Sequence, residues 1–186
     1  MTDLEAALVE VTSVLERLSI PYMLIGGLAV SSWGEARSTL DVDVTIWIEP
    51  EQLDRTVSEI SKQLQVVPKD PTAFVRRTRV LPALSSLQIR IDIIFAALAE
   101  EKRIVQRARP RQIAGKDVMV ASVEDLLFMK LASERPKDIQ DSRLLLRRFQ
   151  KTIDRQYLEP KLKELADGLA RPDNLTIYNE EIGSGL

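Results

Sequence analysis

The sequence predicts an α/β (α+β) protein in which a mixed β-sheet is flanked by helices and followed by a C-terminal helical part. Two observations predict this class. Short segments with alternating apolar residues, typical of strands, recur between residues 22 and 120 and are separated by amphipathic segments at helical spacing. From residue 121 to 170 the periodicity is helical. We therefore expect a core over residues 1–120, helices packed on it over 121–170, and a loosely ordered tail over 171–186.

Composition excludes several kinds of chemistry. The 186 residues include no cysteine and no histidine, which excludes disulfides, thiolate nucleophiles and triads with a histidine base. No apolar run approaches the roughly 20 residues needed to span a membrane, and the acidic N-terminal segment is a poor signal peptide. We expect a cytoplasmic protein with no membrane partner, whose chemistry depends on carboxylates, basic side chains, hydroxyls and a metal.

The chain opens with an amphipathic helix over residues 3–18, for which Thr2 or Asp3 is the candidate N-cap. Pro21 ends this helix and precedes a short strand. A turn at Gly26-Gly27 and a short helix over residues 28–33 follow.

The stretch from residue 22 to residue 48 carries the strongest chemical signal. Thirteen residues separate Gly26-Gly27 from a second strand that opens with Asp41 and Asp43. Their side chains share one face, with Cα atoms about 6.5 Å apart. Two such carboxylates repel each other unless a cation lies between them, and Mg²⁺ prefers oxygen ligands. Two glycines let backbone amides approach a phosphate closely, although a tight turn without a ligand is the alternative.

The middle of the chain alternates between helix and strand. Residues 50–64 are expected to be helical, Phe74–Val80 to form a strand, and residues 82–86 to turn the chain back into a strand over residues 87–95. A helix over residues 97–108 and a small hairpin over residues 111–120 come next. Ser122 is the N-cap candidate of the following helix, and further helices are expected over residues 137–149 and 155–170.

Asp92 lies among isoleucines on the strand over residues 87–95 and shares a face with Arg90. An acid in this environment is costly unless a charge or a metal pairs with it. The two interpretations are a third metal-binding carboxylate and a buried Arg90–Asp92 salt bridge.

These motifs carry a family resemblance. Ile25-Gly26-Gly27 and Asp41-Val42-Asp43-Val44 resemble the signature of the DNA polymerase β-like nucleotidyltransferase superfamily. The finer pattern is similar to small bacterial members, among them the AbiEii-type toxins of toxin–antitoxin systems, and covers about residues 5 to 150. It consists of Gly-Gly-x-Ala, Trp33-Gly34 and Arg37-x-Thr39-x-Asp41-x-Asp43.

The resemblance implies a nucleotidyltransferase-like fold and assigns roles to named residues. Asp41, Asp43 and Asp92 are the implied catalytic residues and the ligands of two Mg²⁺ ions. The implied nucleotide-binding residues are Gly26, Gly27, Ser31, Arg37, Thr39 and Lys130. For Arg37, contact with substrate phosphate and pairing with a carboxylate that holds the loop both remain open.

AbiEii-type proteins also carry a lysine on one helix and a Lys-Asp-x-x-Asp run on the next, which Lys130 and Lys137-Asp138-Ile139-Gln140-Asp141 resemble. A lysine in this position is a candidate for contacting triphosphate oxygens. The alternative is a surface lysine, with Lys137 and Asp141 as a solvated pair.

The expected activity is Mg²⁺-dependent transfer of a nucleoside monophosphate from an NTP such as ATP to a hydroxyl. Toxin-like relatives imply RNA (tRNA) or protein as acceptor, with an antitoxin protein as a further partner. Residues 1–70 carry 5 basic and 12 acidic side chains and residues 71–151 carry 17 and 9, a pattern that favours a polyanionic acceptor unless these charges form ordinary solvated faces. The alternatives are a small-molecule (antibiotic) nucleotidyltransferase and a catalytically silent nucleotide-binding or partner-binding module.

Overall fold

The computed structural model describes residues 1–34, 38–133, 135–169 and 173–183. The chain divides into two compact units, one of residues 1–32 and 36–121 and the other of residues 33–35 and 122–186. Within the described ranges, no helix is long and apolar enough to cross a membrane.

The first unit is built on a mixed β-sheet. In the described part of the chain, seven strands form this sheet in the order β3-β4-β5-β2-β1-β7-β6: β1 (Tyr22–Ile25), β2 (Asp41–Ile46), β3 (Gln65–Val66), β4 (Val80–Leu84), β5 (Arg90–Phe95), β6 (Arg109–Ile113) and β7 (Lys116–Val120). β2 is parallel to β5 and antiparallel to β1, so it lies in the middle of the sheet. The predicted mixed sheet flanked by helices is confirmed.

The helices of the first unit precede or connect these strands. They are α1 (Asp3–Arg17), α2 (Gly26–Ser32), α3 (Leu53–Ser61), which follows a 3₁₀ turn over Pro50–Gln52, α4 (Pro71–Thr78) and α5 (Ala99–Gln106). Thr2 caps α1 through a capping box with Glu5, as the sequence predicts. α2 begins at Gly26, so both glycines belong to the helix rather than to a separate turn before it.

The second unit is helical. It contains α6 (Val123–Leu131), α7 (Pro136–Phe149), α8 (Arg155–Leu169) and α9 (Asp173–Ile182). Ser122 caps α6 by accepting a hydrogen bond from the Asp125 backbone N–H, as predicted.

The predicted strand over Phe74–Val80 is wrong, because most of this segment forms α4. The Asp70 side chain accepts a hydrogen bond from the Ala73 N–H at 3.0 Å, and Pro71 occupies the first turn of the helix. This N-terminal signal outweighs the β-branched and aromatic content of the segment. Arg79 ends the helix in the left-handed conformation, with φ of 61°.

The turn predicted over residues 82–86 begins three residues later than expected. Pro82 lies within β4, and the reversal falls between Ser85 and Ile89, where Gln88 has φ of 62°. The predicted hairpin is nevertheless present, since β4 and β5 pair antiparallel. Proline removes one backbone donor but does not by itself end a strand.

The expectation of a loosely ordered tail is wrong for residues 173–182, which form α9. Tyr178 is only 1% exposed, and its hydroxyl donates to Glu159 at 2.9 Å. Arg143 and Arg147 of α7 pair with Glu180 and Glu181 of α9. Tertiary packing therefore stabilises a helix whose own sequence shows little periodicity.

Candidate active site

Two parallel strands bring three carboxylates to one face of the sheet. In the register of β2 and β5, Asp43 lies opposite Asp92 and Asp41 lies opposite Arg90. Residues directly opposite each other on neighbouring strands share a face and lie about 4.8 Å apart. The structure thus places the three predicted acids beside one another in the first unit, where each is half-buried.

The strand pattern explains why this face carries the charges. Val42 and Val44 on β2, and Ile91 and Ile93 on β5, are fully buried on the opposite face. Alternation with period two therefore directs the aspartates between them to the other face. Asp41, Asp43 and Asp92 are half-buried on that face, so their carboxylates remain partly accessible to solvent and ligands.

Gly26 lies directly against Asp43. β1 and β2 pair so that Ile25 is opposite Asp43, and Gly26 follows with φ of +69°. A Cβ atom at position 26 would lie 3.0 Å from the Asp43 Cγ and would overlap its Oδ2. Glycine is needed here both for the left-handed backbone and for the space that it leaves beside the carboxylate.

Thr39 contacts Asp41. Its hydroxyl donates to the Asp41 Oδ1 at 2.7 Å, and both groups are half-buried. Thr39 is a predicted nucleotide-binding residue, and in the structure its hydroxyl contacts a carboxylate of the candidate site. Arg37, the other predicted residue of this loop, lies outside the described residues.

Ser31 belongs to α2, and its hydroxyl donates to the Gly27 carbonyl at 3.1 Å. Such a bond to the preceding turn is common for serine inside helices. Gly27 itself is buried in the first turn of α2.

Arg90 lies on the same face as the three acids and forms a salt bridge with Asp92. Its Nε donates to both Asp92 oxygens at 3.1 and 3.2 Å, and its Nη2 lies 3.0 Å from Oδ2. The Arg90–Asp92 salt bridge of the alternative interpretation is therefore present, but it is only partly buried, since the Arg90 side chain is 64% exposed and that of Asp92 16%. The hydrogen bond to Asp92, followed by the fields of Asp92, Asp41 and Asp43, raises the pKa of Arg90.

The donor set fits a divalent hard cation, since all three acids offer carboxylate oxygens and neither a thiolate nor an imidazole is available in the sequence. Among the described residues, however, no three acidic side chains converge into a ready-made metal cluster. The Arg90 guanidinium is the cation that contacts Asp92 in this structure.

Lys130 lies in the second unit and is buried. Its ammonium donates to Asp138 at 2.8 Å and to Asp141 at 2.7 Å, and all three side chains are less than 10% exposed. Burial alone would raise the pKa of Asp138, but hydrogen bonds from Lys130 and Ser133 outweigh it and lower that pKa. The alternative of a surface lysine beside a solvated Lys137–Asp141 pair is therefore wrong.

Part of the charge asymmetry along the sequence is balanced within the folded units. Basic residues of the middle segment pair with acids of the flanking segments, at distances of 2.6 to 2.9 Å: Arg76 with Asp54, Lys102 with Glu49, Lys116 with Glu16, Arg143 with Glu180 and Glu181, and Arg147 with Glu181. Acids of the flanking segments thus neutralise five basic residues of the middle segment. This is what we expect if these charges form ordinary solvated faces.

Comparisons with known proteins agree with this geometry. A family model described as a nucleotidyltransferase of unknown function (DUF6036) matches residues 1–180. No curated protein matches the sequence.

Several solved structures share the fold. ANT(2″)-Ia in complex with adenylyl-2″-tobramycin has a TM-score of 0.62 at 18% identity, over 90% of this chain and 99% of that one. An antigenic nucleotidyltransferase-like protein from Paracoccidioides brasiliensis has a TM-score of 0.57 at 19% identity, over 96% of this chain and 93% of that one. The lincosamide antibiotic adenylyltransferase LnuA, lincomycin-bound, has a TM-score of 0.52 at 14% identity, over 78% of this chain and 96% of that one. At these identities, the likeness shows a common fold.

Proposed function

The chain belongs to this family of nucleotidyltransferases, and we propose that it moves a nucleoside monophosphate from an NTP to an acceptor hydroxyl in a Mg²⁺-dependent reaction. The observation that carries the proposal is the alignment of Asp43 with Asp92 across β2 and β5, with Asp41 on the same face. Such a group of carboxylates suits binding of a metal that in turn holds a triphosphate.

Asp41, Asp43 and Asp92 would hold the metal, which supplies neutralisation of phosphate charge and a lower pKa for a bound hydroxyl. Thr39 holds the Asp41 carboxylate in place through its hydroxyl. Asp92, which lies opposite Asp43 on the neighbouring strand, is the candidate general base for the acceptor hydroxyl.

The glycines have a role at the phosphates in this proposal. Gly26 begins α2 in contact with the Asp43 carboxylate, so Gly26 and Gly27 are candidates to bring backbone amides close to phosphate oxygens beside the metal. Ser31 on the same helix is a further candidate for nucleotide contact. Lys130 remains a candidate for charge neutralisation on the leaving group only if it exchanges its present partners, Asp138 and Asp141, for phosphate.

For the acceptor we propose a hydroxyl of a small molecule. The pairing of Arg76, Lys102 and Lys116 with acids of the preceding segment lowers the positive excess that favoured a polyanionic acceptor. ANT(2″)-Ia, solved with an adenylylated tobramycin, and the adenylyltransferase LnuA, solved with lincomycin, have the same fold at a similar chain length.

A toxin-like activity on RNA or protein is the second candidate. The observation that favours it is the Lys130, Lys137-Asp138 and Asp141 pattern, which resembles that of AbiEii-type proteins. In that case, an antitoxin protein is an expected partner. A catalytically silent module is disfavoured because all three acids are present and aligned.

The test is incubation with each α-labelled NTP and Mg²⁺ in the presence of aminoglycosides, lincosamides, total RNA or total protein. Label in a drug would support a small-molecule acceptor, whereas label in RNA or protein would support the toxin-like alternative. Growth arrest on expression provides a second readout, since a drug-modifying enzyme is not toxic by itself. Absence of transfer to every acceptor, despite Mg²⁺-dependent NTP binding, would contradict the proposed activity and favour a binding module.

A further inference from the structure

Arg90 places a positive charge at the position where the proposed activity needs a metal. Its guanidinium contacts both oxygens of Asp92 at 3.0 to 3.2 Å, and Arg90 lies opposite Asp41 in the strand register. The three carboxylates of the face carry three negative charges, of which this guanidinium neutralises one. An arginine stays charged at any physiological pH, so it competes with other cations throughout that range.

The exposure of Arg90 shows that electrostatics rather than packing holds it at the site. With 64% of its side chain exposed, it has little apolar contact to lose when it moves. Exposed side chains change rotamer on the picosecond to nanosecond timescale. An ion pair with so exposed an arginine is weak, and the binding of a divalent ion by several carboxylates exceeds it.

We propose that Arg90 is a positioning residue that competes with the divalent cation for Asp92 and is displaced when metal and nucleotide bind together. This inference rests on the proposed function, because it requires a metal at Asp41, Asp43 and Asp92. In the metal-free protein, Arg90 limits the repulsion among the carboxylates and keeps Asp92 in place.

Displacement of Arg90 couples metal binding to nucleotide binding. A triphosphate brings negative charge that offers the released guanidinium a second anionic partner. Metal binding and nucleotide binding then favour each other, and by thermodynamic linkage the coupling is equal in both directions. Without Arg90, the metal should bind more tightly on its own and gain less from the nucleotide.

The experiment measures Mn²⁺ affinity of the full chain by the electron paramagnetic resonance signal of free Mn²⁺, with and without a non-hydrolysable NTP analogue. Arg90→Ala and Arg90→Gln, each checked by thermal melting, should bind Mn²⁺ roughly two- to fivefold more tightly than the parent protein. The gain in Mn²⁺ affinity on adding the analogue should be smaller in both variants. Arg76→Ala, which removes an equally exposed arginine paired with Asp54, is the matched control and should leave the affinity unchanged.

A double variant tests whether Arg90 acts through Asp92. In an Asp92→Asn background, Arg90→Ala should no longer increase Mn²⁺ affinity, because the group for which the two cations compete has lost its charge. An increase of the same size in that background would show a general field effect and would overturn the competition.

Failure of this inference and failure of the proposed function give different results. If Asp43→Asn weakens Mn²⁺ binding but both Arg90 variants bind Mn²⁺ as the parent does or more weakly, the metal site stands and the Arg90 inference is wrong. If Asp43→Asn leaves Mn²⁺ binding unchanged, no metal binds at this face, and both the proposed function and the inference are overturned.

Discussion

Gly26 and Asp43 are in such close contact that only a glycine fits at position 26. A Cβ atom there would lie 3.0 Å from the Asp43 Cγ and would overlap the carboxylate, and the backbone has φ of +69°. The residue that begins α2 thus determines where a carboxylate of β2 can lie.

Gly26→Ala is therefore expected to affect both stability and activity. The left-handed backbone costs an alanine about 1–2 kcal/mol, and the collision with Asp43 adds to this. Because a displacement of about 1 Å in an active site can cost a hundredfold in rate, nucleotidyl transfer should fall at least that far. Urea denaturation and a transfer assay measure the two effects.

Gly115→Ala is the matched control for Gly26→Ala. Gly115 has φ of +80°, but a Cβ there would meet no atom within 4 Å. Gly115→Ala should lose only the stability that the left-handed backbone costs an alanine, and it should retain activity. Equal losses of activity in the two variants would show that the contact between Gly26 and Asp43 has no special role.

The site and most of the fold could be predicted from local sequence patterns. Alternation on β2 and β5 predicts which face carries the acids, and Thr2 and Ser122 predict the starts of two helices. These features depend on residues close together in sequence, where spacing alone determines geometry.

What could not be predicted depends on contacts between distant residues. α9 is stabilised by burial of Tyr178 and by its ion pairs with α7, and neither leaves a periodic signal in its own sequence. The charge balance likewise depends on pairs such as Lys116 with Glu16, which lie 100 positions apart. Arg90 was visible on the carboxylate face, but its exposure could be learned only from the structure.

Asp43→Asn should abolish transfer and leave the fold intact. The change keeps the side-chain shape but removes a charge that repels Asp41 and Asp92, so the melting temperature should stay the same or rise. Loss of a metal ligand should lower the transfer rate at least about a hundredfold. Asp54→Asn, which alters an exposed acid paired with Arg76, is the control and should keep full activity. Unfolding of Asp43→Asn would instead make Asp43 a structural residue.

Ser31→Ala should weaken nucleotide binding modestly, by about threefold, because a single neutral hydrogen bond contributes about 0.5–1.5 kcal/mol. Ser32→Ala is its matched control. Both serines belong to α2 and donate to backbone carbonyls of the preceding turn, Ser31 to Gly27 and Ser32 to Ala29. Calorimetric titration with an NTP analogue should show weaker binding for Ser31→Ala only. Equal affinities for the parent, Ser31→Ala and Ser32→Ala would exclude nucleotide contact by Ser31.

Lys130→Met should destabilise the protein by about 3 kcal/mol. It leaves the buried carboxylates of Asp138 and Asp141 without the ammonium that both accept from, and breaking a buried ion pair from one side is strongly unfavourable. Lys137→Met, at an exposed position on α7, should change stability by less than about 0.5 kcal/mol. Urea denaturation decides the matter. A Lys130→Met protein of unchanged stability that fails to bind NTP would instead support the phosphate role for Lys130.

Glu181 should make the stability of the protein depend on acid pH. Hydrogen bonds from Arg147 and then Arg143 lower the pKa of Glu181 to about 2 from an ordinary value of 4.5. A carboxyl whose pKa is depressed by folding contributes stability that is fully present above the unfolded pKa and is lost as pH falls through the folded pKa. The contribution should thus be complete above about pH 5 and disappear toward pH 2.

Glu181→Gln isolates this contribution. At pH 7 the variant should be less stable than the parent by about 1–3 kcal/mol, since it loses charged hydrogen bonds that tie α9 to α7. As pH falls from 5 toward 2, the difference in unfolding free energy should shrink to zero, because the parent becomes protonated at the same position. Glu51→Gln, which removes an exposed acid of the other unit, controls for overall charge and should show no such convergence. A constant difference across this pH range would mean that the two arginines do not depress the pKa of Glu181.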